Sequence, residues 1–152
     1  MSSFRPTVPE DLPALKEVID KTGLFPSDRL DGMIAGFFAD DPSEEIWLTY
    51  DNGQPVGVAY CAPEPLTEGT WNLYLIAVHP DHQRRGYGAE MMSDVEQLLA
   101  GREVRLLLVE TSGTEAFERT RAFYRRIGYE EEARIREFYQ AGDDKVIFRK
   151  AL

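Results

Sequence analysis

The residues best suited to chemistry lie in a short polar loop near the middle of the chain. Residues 83–89 are Gln-Arg-Arg-Gly-Tyr-Gly-Ala, and they follow an apolar run, Leu73–Val78, and a His-Pro turn. Directly afterwards, apolar residues recur at the spacing of one helix face, at Met91, Val95 and Leu99. The pattern predicts a strand, a tight loop and a helix, with two glycines whose missing Cβ atoms let a ligand approach the main chain.

Such a loop suits a phosphate group. The first N–H groups of a helix have no partners within the helix and lie at the positive end of its dipole. Arg84 and Arg85 add positive charge to a chain whose net charge is −10. A lone Gly-x-Gly is also common in ordinary turns, and paired arginines are often only solvated. The spacing is neither GxGxxG nor a P-loop ending in GK[ST], which disfavours a dinucleotide or ATP.

The same residues carry a family resemblance. The segment AVHPDHQRRGYGAEMM resembles the acetyl-CoA-binding motif Q/R-x-x-G-x-G/A of the GNAT acetyltransferases, with Gln83, Gly86 and Gly88 in its fixed positions. A second block, TRAFYRRIGY at 120–129, follows in the family's order and at about its spacing. The resemblance implies an N-acetyltransferase that takes acetyl-CoA as co-substrate and acetylates a primary amine of a small molecule or peptide. Homodimers are common in the family.

The resemblance also implies which residues bind the cofactor. The diphosphate would contact the loop, and the pantetheine arm would lie along the central strand and pair with its free main-chain groups. An N–H group near Ile76 or Ala77 would then donate a hydrogen bond to the thioester carbonyl. The cofactor-binding residues implied in this way are Ile76, Ala77, Val78, Gln83, Arg84, Arg85, Gly86, Tyr87, Gly88 and Ala89.

The resemblance implies a general acid as well. Tyr124 occupies the tyrosine of the second block and would act as an acid toward the departing CoA sulfur. Without the family, an aromatic residue packing on the sheet is the simpler interpretation of Tyr124. The family's asparagine ahead of this block is absent here, and Arg119 or Thr120 could take its contact.

Glu110 is the candidate general base. It follows the apolar run 104–109, and ligands of open α/β sheets bind beyond the carboxyl ends of the strands. Some GNAT enzymes have a catalytic glutamate in this strand. An exposed carboxylate at a strand end is an equally good interpretation, and Glu118 or a water molecule are the other candidates. We interpret His79 and His82 as turn or solvent-exposed residues rather than bases.

The sequence leaves open more than one function. Cys61 is the one cysteine, and no histidine lies near it in the pattern, which favours direct attack in a ternary complex over a covalent acyl-enzyme. An acyl-CoA-binding module without catalysis is the alternative. A nucleotide transferase is disfavoured because no Mg²⁺-binding carboxylate follows the loop in a P-loop arrangement. The acceptor is not specified: a polyamine, an antibiotic, an amino acid and a peptide terminus all fit.

Length and composition set the remaining expectations. With 152 residues we expect one domain, 1–152, large enough for its own core. A net charge of −10 disfavours nucleic acid and anionic membranes as partners and suits a cationic acceptor. One cysteine permits no internal disulfide and no thiolate cluster, so we expect no metal. No window is apolar enough to span a bilayer, and we expect a cytoplasmic protein.

The fold predicted is an α/β protein. It is a GNAT-like, six- to seven-stranded mixed sheet with helices on both faces and two central parallel strands that splay apart, the splaying being implied by the resemblance. Asn52-Gly53 indicates a hairpin turn between two strands. We expect strands at 2–5, 46–50, 55–61, 71–78, 104–109, 133–139 and 145–149, and helices that end near Gly23 and at Gly128.

Overall fold

A computed structural model describes residues 3–40 and 44–152. The described residues form a seven-stranded sheet and four α-helices. The strands are β1 (Ser3–Pro6), β2 (Ile46–Asp51), β3 (Pro55–Pro63), β4 (Thr70–Val78), β5 (Leu106–Ser112), β6 (Glu130–Gln140) and β7 (Asp143–Ala151). The helices are α1 (Leu12–Thr22), α2 (Leu30–Phe38), α3 (Tyr87–Ala100) and α4 (Glu118–Arg126). Of the first strand predicted, Ser2 lies outside the described residues.

The sheet is mixed, as predicted. The strands lie in the order β1-β2-β3-β4-β5-β7-β6. β4 and β5 are parallel, while the other neighbouring strands pair antiparallel. The α3 helix connects the two parallel strands, because parallel neighbours need a long crossover.

The two parallel strands separate halfway along their length. Their pairing begins with Thr70 opposite Leu106 and ends with Leu73 opposite Val109. β4 continues to Val78 and stays paired with β3, so the other edge of its second half has no strand neighbour among the described residues. We call this opening between β4 and β5 the fork. It confirms the splayed central strands.

A β-bulge in β4 coincides with the start of the fork. Opposite β3, Cys61 pairs with Leu73 and Tyr60 pairs with Leu75, which leaves Tyr74 as the extra residue. The bulge reverses the alternation of side chains: Leu73 packs with the core on one face of the sheet, and Leu75 packs with the core on the other. A bulge here re-aims the side chains of β4 where the strand loses its second neighbour.

Helices cover both faces of the sheet, as predicted. One face, the α3/α4 face, is packed by Met91, Met92, Val95 and Leu99 of α3 and Tyr124 of α4. The other, the α1/α2 face, is packed by Leu15, Val18, Ile19, Leu30 and Ile34. Among the described helices, none has the length and apolar character needed to cross a bilayer.

The element ends follow local signals in most places. Gly23 follows α1 with φ +67°, and Gly128 follows α4 with φ +98°, both in the left-handed region that glycine adopts without strain. The hairpin at Asn52-Gly53 joins β2 and β3 as predicted. β6 is longer than the strand predicted at 133–139. This edge strand is exposed along its whole length and lacks an apolar alternation from which its ends could be predicted.

Candidate functional site

A cavity of about 560 Å³ lies where the fork meets the start of α3. Its wall combines the second half of β4, the loop before α3 and one side of α4. The lining residues are Ile76, Ala77, Val78, Gln83, Arg84, Gly86, Gly88, Ala89, Arg119, Thr120, Phe123, Tyr124 and Arg126. The structure therefore brings most of the predicted cofactor-binding residues together with the predicted acid.

The loop before α3 presents main-chain donors. Arg84 has φ +64° and Gly86 has φ +82°, and turns with left-handed residues aim successive N–H groups into a concave surface that suits anions. The N–H groups of residues 84 to 89 have no hydrogen-bond acceptor within the described parts of the chain. A Cβ atom on Gly86 would meet nothing within 4 Å, so the loop is open there.

Gln83 closes this loop. Its Nε2 donates to the carbonyl oxygen of Val78 at 2.9 Å, and its main-chain N–H donates to the carbonyl of Pro80 at 3.3 Å. The side chain thus pairs with the last carbonyl of β4, beyond the point where β5 has separated. Gln83 therefore helps to shape the loop, whereas its contact with a cofactor stays a prediction.

Two of the predicted cofactor residues do not line the cavity. Arg85 is exposed, and the ring of Tyr87 packs against that of His82 with 6.0 Å between centroids. His82 ends a short turn in which the Nδ1 atom of His79 accepts a hydrogen bond from the N–H of Asp81 at 3.2 Å. The interpretation of both histidines as turn residues is confirmed.

Tyr124 is held in place by α4. The start of this helix is tied to the end of β5, because Arg121 Nη1 donates to the carbonyls of Ser112 at 2.8 Å and Thr114 at 2.7 Å. The Tyr124 ring is 4% exposed and packs at 5.7 Å from the Phe148 ring. The same side chain lines the cavity.

The Tyr124 hydroxyl is free to act on a ligand. It has no hydrogen-bond partner among the described residues, although its ring is packed on several sides. Burial raises the pKa of Tyr124 well above its ordinary value near 10. The phenol therefore keeps its proton at neutral pH and stays a hydrogen-bond donor.

Glu110 lies on the other side of the sheet. Its neighbour Val109 packs with the core of the α3/α4 face, so Glu110 points to the α1/α2 face. There its Oε1 accepts from Asn72 Nδ2 at 2.9 Å, and its Oε2 lies 3.0 Å from Lys145 Nζ. Contrary to the prediction that it follows the strand, Glu110 lies inside β5, as the first residue beyond the last pair with β4. It does not line the cavity of Tyr124.

Three polar residues around Glu110 are not among the site residues predicted from the sequence. The Nδ2 of Asn72 also donates to Oε1 of Glu64 at 3.0 Å, and the Tyr74 hydroxyl donates to the same oxygen at 2.9 Å. Burial and the Glu64 carboxylate raise the pKa of Tyr74 to about 12. The available signal was the presence of Asn72 and Tyr74 in an otherwise apolar strand.

The surroundings of the other candidate groups suit catalysis less well. Cys61 is buried, and burial raises the pKa of its thiol to about 12, so it is a poor nucleophile. Glu118 is exposed at the start of α4 and does not line the cavity. Within residues 3–40 and 44–152, no cluster of histidine, cysteine and carboxylate side chains could hold a metal ion.

Comparisons with known proteins agree with this geometry. The family model for the acetyltransferase (GNAT) domain matches residues 42–131. Among solved structures, a protein from Desulfovibrio desulfuricans assigned to the GNAT acetyltransferase family shares 32% identity with a TM-score of 0.92, over 99% of each chain. A comparison with curated protein sequences finds no match.

Two further structures share the fold at lower identity. The ribosomal-protein-S18-alanine N-acetyltransferase of Escherichia coli has a TM-score of 0.80 at 22% identity, over 99% of this chain and 94% of that chain. A Salmonella typhimurium protein described as an acetyltransferase was solved with its cofactor acetyl-CoA. It has a TM-score of 0.77 at 15% identity, over 99% of this chain and 94% of that chain. From its family match, its relative at 32% identity and its forked sheet, the chain belongs to the GNAT family of acetyltransferases.

Proposed function

We propose that the protein transfers an acetyl group from acetyl-CoA to a primary amine of a small molecule or peptide, by direct attack in a ternary complex. One observation carries the proposal: a single cavity is lined by the loop whose N–H groups are unpaired, by the second half of β4 with its free edge, and by Tyr124. We further propose that residues 1–152 are one such domain and that it works in the cytoplasm, where acetyl-CoA is available.

The residues of the cavity fit acetyl-CoA. The N–H groups of residues 84 to 89 and the guanidinium groups of Arg84, Arg119 and Arg126 suit a diphosphate, on a chain that otherwise carries a net charge of −10. The free edge of β4 suits the amides of the pantetheine arm, which would pair with it as an added strand does. Acetyl-CoA, when bound, supplies an acetyl group activated as a thioester.

Tyr124 would stabilise the departing sulfur. A thiol has a pKa of about 8.5, which is below that of an ordinary phenol and further below that of buried Tyr124. Complete proton transfer from Tyr124 is therefore uphill, whereas a hydrogen bond from its hydroxyl to a developing thiolate is favourable. A main-chain N–H near Ile76 or Ala77 would donate to the carbonyl oxygen as negative charge develops there.

Glu110 would receive the proton that the acceptor must lose. An amine of the lysine type has a pKa of about 10.4 and is mostly an ammonium ion at neutral pH. Asn72 and Lys145 hold the two Glu110 oxygens at the first position beyond the last β4–β5 pair, next to the fork. The proton could pass to this carboxylate directly or through a water molecule.

The cofactor site can be tested by isothermal titration calorimetry, in which acetyl-CoA is added to two matched glycine variants. Gly86 and Gly23 both have positive φ and open space around the Cβ position, so alanine strains either by about 1 kcal/mol. Gly86→Ala alone places a methyl group at the cavity, and we expect it to weaken acetyl-CoA binding about 10-fold, whereas Gly23→Ala leaves binding unchanged. Equal affinities for the two variants would contradict the assigned site.

One observation favours a second function, an acyl-CoA-binding module without turnover. Both oxygens of Glu110 already have partners, Asn72 and Lys145, which could keep this carboxylate from accepting a proton. An assay of CoA thiol release over a panel of primary amines separates the two functions. Release with any amine supports catalysis, and tight acetyl-CoA binding with no release from any amine supports the module.

A further inference from the structure

We propose that Glu64 binds the acceptor as an ammonium ion, with Tyr74 and Glu110 beside it, on the α1/α2 face of the fork. The acceptor would thus be recognised by its positive charge before it loses a proton. This inference rests on the proposed function and adds to it the charge state of the acceptor and the residue that selects it.

The start of the fork brings Tyr74 and Glu110 close to Glu64. The last paired residues of β4 and β5 are Leu73 and Val109, so Tyr74 and Glu110 are the first residues beyond the pairing. Glu64 follows the end of β3, and its Oε1 accepts hydrogen bonds from Asn72 and Tyr74. Since one Asn72 nitrogen contacts both carboxylates, Glu64 Oε1 and Glu110 Oε1 lie within about 6 Å of each other.

The cluster has two carboxylates and one cationic partner among the described residues. Glu110 has a cationic partner, Lys145, at 3.0 Å, whereas Glu64 has no ion pair within the part of the chain that the structure describes. Glu64 is half-buried and is held by two uncharged donors. A half-buried carboxylate without a counter-ion loses hydration that a cationic ligand would replace.

The cluster around Glu64 is short of hydrogen-bond donors. The Asn72 side chain is 1% exposed, and its Oδ1 is buried with no hydrogen-bond partner among the described residues. Turning the amide over would not help, because its oxygen would then face Glu64 and Glu110. The cluster therefore holds more acceptors than donors, and an ammonium ion brings three N–H donors together with the missing charge.

The exposed ring beside Glu64 is that of Tyr74, which continues a row of aromatic side chains. The rings of Trp47 and Tyr60 stack at 4.2 Å, and Tyr60 lies 5.5 Å from Tyr74, across three neighbouring strands. The Tyr74 side chain is 48% exposed and ends at Glu64. An exposed aromatic ring next to a carboxylate suits an alkylammonium ion, because the ring packs on the alkyl stem and its face attracts the cation.

Two small probes test the inference by their binding alone. n-Butylamine is protonated at pH 7, and n-butanol has a similar shape without the charge. We expect n-butylamine to shift the backbone amide resonances of residues 64, 72–74 and 110 saturably in a protein NMR titration, and n-butanol to leave them in place. Equal shifts from both probes, or shifts confined to other residues, would overturn the proposal. This comparison requires no variant.

Glu64→Gln, with Glu68→Gln as its control, tests the residue. Glutamine at 64 keeps an oxygen for Asn72 and Tyr74 and removes only the charge, while Glu68 is an exposed carboxylate in the same connection. We expect E64Q to weaken n-butylamine binding about 5- to 10-fold and E68Q to change it less than twofold. Unchanged binding in E64Q would refute the role of Glu64.

The same samples keep this inference separate from the proposed function. E64Q should bind acetyl-CoA as the unaltered chain does, because Glu64 does not line the acetyl-CoA cavity. If acetyl-CoA fails to bind while n-butylamine binds at Glu64, the proposed function falls and the cation site stands. If acetyl-CoA binds and n-butylamine does not, the cation site falls alone.

Discussion

Replacing Tyr124 by phenylalanine removes one oxygen and isolates its role. The Phe148, Tyr129 and Phe123 rings that pack on Tyr124 would pack on phenylalanine in the same way. Because the hydroxyl has no hydrogen-bond partner among the described residues, the substitution removes no such bond from the folded protein. We therefore expect the free energy of unfolding to change by less than about 0.5 kcal/mol.

The catalytic cost should be much larger. A hydrogen bond to a charged group is worth about 1.5–3 kcal/mol, and each 1.36 kcal/mol is a factor of 10 in rate. If Tyr124 donates to the departing thiolate, Tyr124→Phe should lower kcat by about 10- to 150-fold. The KM for acetyl-CoA should stay within about twofold, because the charge on sulfur develops only in the transition state.

Tyr129→Phe is the matched control. Its ring lies 5.8 Å from that of Tyr124 and is equally buried. Its hydroxyl, however, donates to Glu96 Oε2 at 2.8 Å, and neither residue lines the cavity. We expect this variant to lose about 1–2 kcal/mol of stability and none of its turnover. The two variants should thus show opposite patterns of stability and rate.

Steady-state CoA release at saturating amine, together with urea unfolding, measures both quantities. A Tyr124→Phe protein that is as stable as the unaltered chain and turns over within twofold of its rate would refute the role given to the hydroxyl. Equal losses of kcat in Tyr124→Phe and Tyr129→Phe would also refute it, since the effect would then come from packing.

Three further outcomes follow from the structure. Burial raises the pKa of Asp11, but its hydrogen bonds, that from Arg5 at 2.8 Å foremost, hold it below its ordinary value. The stability from this carboxylate is therefore present above about pH 4 and is lost as pH falls through its lowered pKa. Arg5→Met should lower the free energy of unfolding by about 2 kcal/mol at pH 7. In urea unfolding measured over a pH series, the loss of stability toward acid pH should become shallower in this variant. Cys61 should resist iodoacetamide at pH 8 until the chain is unfolded, as mass spectrometry would detect. Gln83→Ala removes the 2.9 Å bond to Val78 and should weaken acetyl-CoA binding about 5-fold in titration, with kcat at saturation unchanged.

The parts of the fold and site that could be predicted from the sequence are those with local causes. Asn52-Gly53 favours a hairpin turn between two strands, and Gly128 ends a helix by its own backbone freedom. The loop before α3 is likewise local, since its glycines, its helix start and its unpaired N–H groups are neighbours in the chain. The role of Tyr124 could be predicted only from the family resemblance, because nothing in its own segment distinguishes a cavity residue from a packing residue.

The parts that could not be predicted depend on distant pairs. Glu64, Asn72 and Glu110 meet because β3, β4 and β5 are neighbours in the sheet, and no local spacing records that contact. The bulge at Tyr74 is equally hidden, because an apolar strand buried on both faces has no alternation from which a shift could be detected. Such a strand predicts its own existence but not the direction of its side chains.

The two faces of the fork carry charged side chains of opposite sign, which affects where the two substrates would bind. Arg84, Arg119 and Arg126 line the cavity on the α3/α4 face, while Glu64 and Glu110 lie on the other face. An anionic thioester and a cationic amine would therefore be attracted to different sides of the sheet, and each leaves the other's entrance open.

Such an arrangement requires both ligands at once. No acyl group can be held between two half-reactions by the one cysteine, because Cys61 is buried with a raised pKa. Initial rates measured over a grid of acetyl-CoA and amine concentrations should then give intersecting lines in double-reciprocal plots. Parallel lines would indicate a covalent acyl-enzyme, for which the described residues around the fork supply no activated nucleophile.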